Sequence, residues 1–313
     1  MNYKYQIENS VAMRAVFHRL IQQPDLETLE IKKRVQGEKC HLYMICSRPR
    51  ITINPKKLDI NNERISGSFI IDKGEIKDEV PFNVANPPEL NIKDYKLDFP
   101  YTNIDFLNEK GEVVSGGKSA LLFPILQTEY NSCLDLEVLY IGQAFGEGGD
   151  RIATDRLSSH STLQKIYVDT IKTFPNKDVW ILLWKFEPYV ISMMGSGFHN
   201  APTDLEDSLK HMNRVLENSI TLDQQITFTE AALIRYFEPV YNKEYKTSFP
   251  NKSHSSYDQC YRLDINSVAF ELDTGELFTR LYSSSKTPSS SHNQHYPLHS
   301  EKVRRDMFMH FET

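Results

Sequence analysis

Apolar and polar positions change period several times along this chain. Residues 10–24 (SVAMRAVFHRLIQQP) carry apolar side chains at helical spacing and stop at Pro24, which predicts a leading helix. From about residue 29 to 115 the pattern turns alternating or β-branched: LEIKKRVQ, CHLYMICS, RITINP, RISGSFII and VPFNV read as strands separated by turn signals. IDFLNEKGEVV predicts a hairpin at the end of this stretch. After Gly116-Gly117, ALLFPILQT and LEVLYIGQ predict two strands around a polar turn, followed by the glycine-rich loop AFGEGGDR (144–151). A helix is expected from about Thr154 to Phe174, then a strand in VWILLWKF, then a helix opened by a capping box from Thr203 to Glu206. TFTEAALIRYFEPVYN (227–242) predicts a short helix that Pro239 ends, with Thr227 and Thr229 as N-caps. Glu230 then falls in its first turn, where the helix dipole favours a carboxylate. Beyond residue 242, YRLDI, SVAFELD and ELFTRLYS read as strands, the last two joined as a hairpin at Thr274-Gly275. SSSKTPSSSHNQHYPLHS reads as a flexible linker and EKVRRDMFMHF as a short helix.

Composition changes this picture little. The chain has 313 residues, 40% apolar and 25% charged, which predicts a globular protein of two or three domains. The boundaries fall at residues 1–115 (β-rich, with one helix), 116–250 and 251–313. Nothing is apolar and long enough to span a membrane, and MNYKYQIENS lacks a secretion pattern. Four scattered cysteines with no CxxC pair suit a reducing cytoplasm. Cys40 and Cys46 are wrongly spaced for a zinc knuckle, and His292, His295 and His299 have no acidic or cysteine companion. The net charge of -6 requires any nucleic-acid binder to carry a local basic patch.

Candidate chemistry gathers between residues 118 and 250. Tyr140-Ile141-Gly142 ends a strand. Arg156 and His160, four apart, are expected on one helix face. Glu230 and Asn242 bracket the helix of residues 227–242. Each has an ordinary reading: a core tyrosine, a solvated helix face, a helix cap and a C-terminal turn residue. Together, in this order, they resemble the GIY-YIG nuclease family, to which the bacterial excision-repair incision nuclease and the phage homing endonucleases belong. That resemblance implies an α+β fold, a small mixed sheet flanked by helices. Here it would carry an N-terminal β-rich domain and a C-terminal β-hairpin extension.

The resemblance further implies a divalent-metal-dependent endonuclease acting on nucleic acid, DNA rather than RNA. Glu230 would hold one Mg²⁺ or Mn²⁺, and Arg156 would stabilise the phosphate. Tyr140 with His160 would activate water, and Asn242 would orient Glu230 or its helix. Magnesium keeps most of its waters, so one protein carboxylate suffices. The sequence departs from the family in several places. No first tyrosine motif is legible. If the two strands pair around Asn131, Phe123 lies across from Tyr140 and brings no hydroxyl, while Tyr130 falls in the turn. Gln143 stands where the repair enzyme has a lysine, the loop to Arg156 is long, and an extra helix precedes Glu230. These departures keep a second reading open, a weak or inactive member that binds nucleic acid or a protein partner.

Overall fold

The first expected helix is a strand. In the computed structural model, which describes residues 2–127, 131–144, 153–157, 160–218 and 220–309, β1 runs from Glu8–Ile21. Its first six residues are all buried. A strand covered on both faces reads as an unbroken apolar run, which helical spacing also fits. Polar Glu8, Asn9 and Ser10 are tolerated there because each is paired. Arg304 binds Glu8, Asn9 meets His211 and Ser192, and the Ser10 hydroxyl donates to the Ser267 carbonyl.

The chain forms two compact units, each discontinuous in sequence. Unit 1 comprises residues 1–46, 137–164 and 180–313. The other strands it draws on are β2 (Leu42–Ile53), β9 (Leu136–Gln143), β10 (Lys177–Met193), β11 (Ser267–Asp273), β12 (Leu281–Ser283), β13 (Lys286–Ser289) and β14 (Ser291–Pro297). They lie in the order β13-β12-β9-β2-β10-β1-β11-β14. β1 runs antiparallel to β10, with Glu8 opposite Met193 and Ile21 opposite Ile181, and parallel to β11. The expected Thr274-Gly275 hairpin does not form, since β11 pairs with β1 and β14 whereas β12 pairs with β13. The serine-rich stretch read as a linker is therefore strand. Its hydroxyls bond locally, and seven residues of β14 complete a ladder on β11. The segment 301–309 forms turns, not the expected helix.

Helices of unit 1 also depart from expectation. LEIKKRVQ belongs to α1 (Leu29–Glu38), which buries Ile31 and Val35, one turn apart. α3 (Ala153–Leu157) and α4 (Ser161–Thr173) replace the single helix of residues 154–174, with α4 continuing into unit 2. α5 (Leu205–Glu217) is capped by Asp204, whose carboxylate accepts from the Asp207 amide, rather than by Thr203. α6 (Leu222–Phe237) begins five residues before Thr227, so Thr227 and Thr229 lie inside the helix, not at its cap. Its C-terminus is as expected: Glu238 adopts a left-handed φ of 47° just before Pro239. α7 (Gln259–Arg262) occupies part of the expected YRLDI strand.

Unit 2 comprises residues 47–136 and 165–179. The second half of β2 pairs with β4 (Arg64–Asp72), and β4 pairs with β3 (Asp59–Ile60) and β5 (Lys77–Ala85). A separate small sheet holds β6 (Asp94–Lys96), β7 (Asn103–Leu107) and β8 (Val113–Lys118), the last two forming the expected hairpin. ALLFPILQT, read as a strand, lies mostly in α2 (Ser119–Leu126). Short apolar runs do not distinguish strand from buried helix by period. The protein is thus mixed α+β, with strands predominating in both units.

Candidate active site

β2 and β9 are sheet neighbours in unit 1, and each carries a tyrosine toward the same spot. The Ala144 amide, just past β9, donates to the His41 carbonyl, just before β2, so the two strands run antiparallel. Tyr43 on β2 and Tyr140 on β9 have ring centroids 6.2 Å apart. Gly142 explains their closeness. A Cβ built there would lie 2.6 Å from the Tyr43 hydroxyl and 2.7 Å from Cζ, so glycine is the one residue that leaves room for this ring.

His160 completes the cluster. It does not share a helix face with Arg156, because Arg156 belongs to α3 while His160 lies outside both helices, immediately before α4. There it caps α4: its Nδ1 accepts from the Leu163 amide at 3.1 Å. With Nδ1 occupied as an acceptor, neutral imidazole carries its proton on Nε2, which donates to the Tyr43 hydroxyl at 3.1 Å. Arg156 and Tyr43 both favour the ionised form of Tyr140, and Arg156 favours that of Tyr43. A hydrogen bond thus joins His160 to Tyr43, whose ring lies beside that of Tyr140. Burial, and secondarily the Arg156 charge, lower the His160 pKa and keep the ring neutral. Both tyrosines are pushed up, chiefly by burial. For Tyr140 the next cause is the Glu230 charge, and Arg156 opposes it.

Glu230 is mid-helix in α6 rather than in its first turn, so the dipole does not stabilise its charge. Burial pushes its pKa up to about 8, with Glu244 adding to the rise. The Gln143 side chain and main chain, together with the Arg156 charge, favour the ionised form and resist that rise. Glu230, Glu244, Arg156 and Tyr140 therefore all feel one another. Asn242 links this helix to the tyrosine strand. Its Oδ1 accepts from the Ile141 amide at 2.9 Å and its Nδ2 donates to the Ile141 carbonyl at 2.8 Å. The neighbouring Tyr241 amide donates to Leu139. The stretch after α6 thus lies along β9 as if it were another strand and sets Glu230 against Tyr140.

Two sequence candidates are elsewhere. Phe123 does not lie across from Tyr140: it is in α2 of unit 2, packed on Phe69. Tyr130 and most of the AFGEGGDR loop lie outside the described residues. The residue that sequence reasoning missed is Tyr43. The available signal was the shared Leu-Tyr start of LYMI and LYIG, separated by nearly a hundred residues.

The donors suit a hard divalent cation. Among the described residues no three His, Cys, Asp or Glu side chains converge as a closed metal cage. Glu230 offers a carboxylate whose buried charge lacks full compensation. Gln143 Oε1 is a buried amide oxygen with no hydrogen-bond partner, which costs about 1–3 kcal/mol if left so. Oxygen donors in small number match a cation that keeps most of its water. Comparison with protein-family models, with curated proteins and with solved structures yields no match.

Proposed function

We propose that unit 1 is a divalent-metal-dependent endonuclease of GIY-YIG type that hydrolyses phosphodiester bonds of nucleic acid, DNA in preference to RNA. The observation that carries this reading is the Tyr43 hydroxyl. It stands between His160 and Tyr140, over Gly142, on a strand beside the one that holds Tyr140. It supplies the first tyrosine that the family resemblance requires and that local sequence lacks.

In this reading Tyr140 acts as its phenolate, takes the proton of the attacking water and becomes the neutral phenol. Arg156 and Tyr43 stabilise the phenolate before that transfer, and His160 orients Tyr43. Arg156, which lies exposed, pairs with the phosphate and its extra transition-state charge. Glu230, with Gln143 beside it, would hold the cation, and Mg²⁺ or Mn²⁺ bound there would supply Lewis acidity for the leaving oxygen. Asn242 is a positioning residue that keeps Glu230 facing Tyr140 through Ile141.

A second reading, a nucleic-acid-binding or interaction module without turnover, is favoured by one observation. Gln143 engages the Glu230 carboxyl from both its amides, in a site that raises its pKa to about 8. The two readings separate on incubating wild type and Glu230→Ala with supercoiled plasmid, single-stranded DNA and RNA in Mg²⁺ or Mn²⁺. Cleavage by wild type alone supports the nuclease and identifies its substrate class. Binding without cleavage favours the module. Equal cleavage by both proteins removes Glu230 from the chemistry and with it this assignment.

A further inference from the structure

We propose that Gln143 is a direct metal ligand, its side-chain oxygen Oε1 completing with Glu230 a two-residue site for a hard divalent cation. This inference rests on the reading of Glu230 as the metal carboxylate and adds to it a specific neutral partner.

The amide orientation follows from its neighbours. Gln143 Nε2 donates to Thr227 Oγ1 at 3.5 Å, and the same side chain favours the ionised form of Glu230, as an N–H and not an oxygen does. Flipping the amide would set a carbonyl oxygen against a carboxylate, so the remaining atom is Oε1. That oxygen is buried and accepts no hydrogen bond. The groups that hold the rest of the residue offer it no donor. Glu230 accepts only once ionised, as it must be to hold a cation, and Thr227 Oγ1 lies at the nitrogen end. A buried carbonyl oxygen so placed has two possible partners, a proton donor or a cation, and the adjacent carboxylate selects the cation. The chain geometry supports this placement. Gln143 is the last residue of β9, one after Gly142 and three after Tyr140, and the Asn242 clamp on Ile141 fixes that end of the strand against α6. The ligand is therefore held by backbone rather than by a free surface side chain.

Oxygen chemistry predicts the ion. A carboxylate and an amide oxygen suit Mg²⁺, Mn²⁺ or Ca²⁺ over Zn²⁺, with water filling the other positions at roughly 2.0–2.1 Å for Mg²⁺. With one protein charge the site binds weakly, and a second charge at position 143 should tighten it.

The test is Mn²⁺ affinity of the full chain, followed by calorimetry and by the loss of the free-ion paramagnetic signal. It compares wild type, Glu230→Ala, Gln143→Leu and Gln143→Glu, each with circular dichroism to establish folding. The expected result is that Glu230→Ala abolishes binding, Gln143→Leu weakens it about tenfold, and Gln143→Glu tightens it about tenfold. Wild-type affinity in Gln143→Leu, with binding lost in Glu230→Ala, overturns the role of Gln143 and leaves the metal carboxylate standing. If Gln143→Leu does not fold, Gln143→Glu decides alone, and unchanged affinity there overturns the proposal. No Mn²⁺ binding by wild type, or full binding by Glu230→Ala, overturns this inference together with the reading beneath it.

Discussion

A single missing methyl group holds the candidate site together. Gly142 lets the Tyr43 ring pass where a Cβ would lie 2.6 Å from its hydroxyl. Gly142→Ala should displace that ring, cost about 1–3 kcal/mol in urea unfolding, and remove activity. Tyr43→Phe separates packing from chemistry: it keeps the ring and removes the hydroxyl that joins His160 to Tyr140. Stability should fall by about 1–3 kcal/mol for the unpaired His160 N–H, while any cleavage rate falls at least tenfold, and an unaltered rate would discount a role for the Tyr43 hydroxyl. At this scale Tyr140, Glu230 and Gln143 were legible because side-chain chemistry is local. Tyr43 was not, because β2 is no local hairpin partner of β9: residues 54–135 separate the two strands. His160 was legible as a residue but not in its surroundings. It caps a helix through its own ring, and helix spacing alone does not mark an imidazole cap.

Among elements, α6 and the segment after it carry the most consequence. Asn242 satisfies both main-chain groups of fully buried Ile141. Asn242→Ala would strand a donor and an acceptor together, so the expected cost is about 2–4 kcal/mol, measured by urea unfolding. A loss well under 1 kcal/mol would mean that β9 does not depend on this clamp. The element pattern was legible where period and length agreed, as in β4, β5, β9, β10, α5 and the C-terminal end of α6. It failed where two periods fit one run. SVAMRAVFHRLI satisfies helical spacing because its first four residues are buried on both faces of the strand and so do not alternate. Serine-rich residues 283–300 read as a linker by composition, yet β12 pairs with Lys286–Ser289 and β11 with Ser291–Pro297, ladders that composition does not record.

For the whole molecule, pH acts through two opposed sets of groups. His18, His160, His211, His292 and His299 all have pKa values lowered by burial. The unfolded chain therefore binds these protons first, near pH 6.5, and stability falls as pH drops below that value. Glu230 acts the other way. Its folded value of about 8 exceeds the ordinary 4.5, so the folded chain holds the extra proton and stability falls as pH rises through that window. Five histidines outweigh one glutamate below about pH 6.5, and above it only Glu230 of these groups still titrates. The urea midpoint should rise from about pH 5 to 6.5 and decline toward about pH 8. Glu230→Gln should keep the rise and lose the decline; a decline that persists in the variant would assign it to other groups.

The place of β1 has a consequence in time. It lies between β10 and β11, and Ser10 pairs with a residue 257 positions later. At a translation rate of roughly 5–20 residues per second, about 13–50 s pass between the emergence of these two partners from the ribosome. Throughout that interval the strand has no native neighbour on its β11 side, and until Lys177–Met193 is made its β10 edge is open as well. The cell must therefore either delay its exposure or shield it, and the burden falls on the earliest-made strand of unit 1.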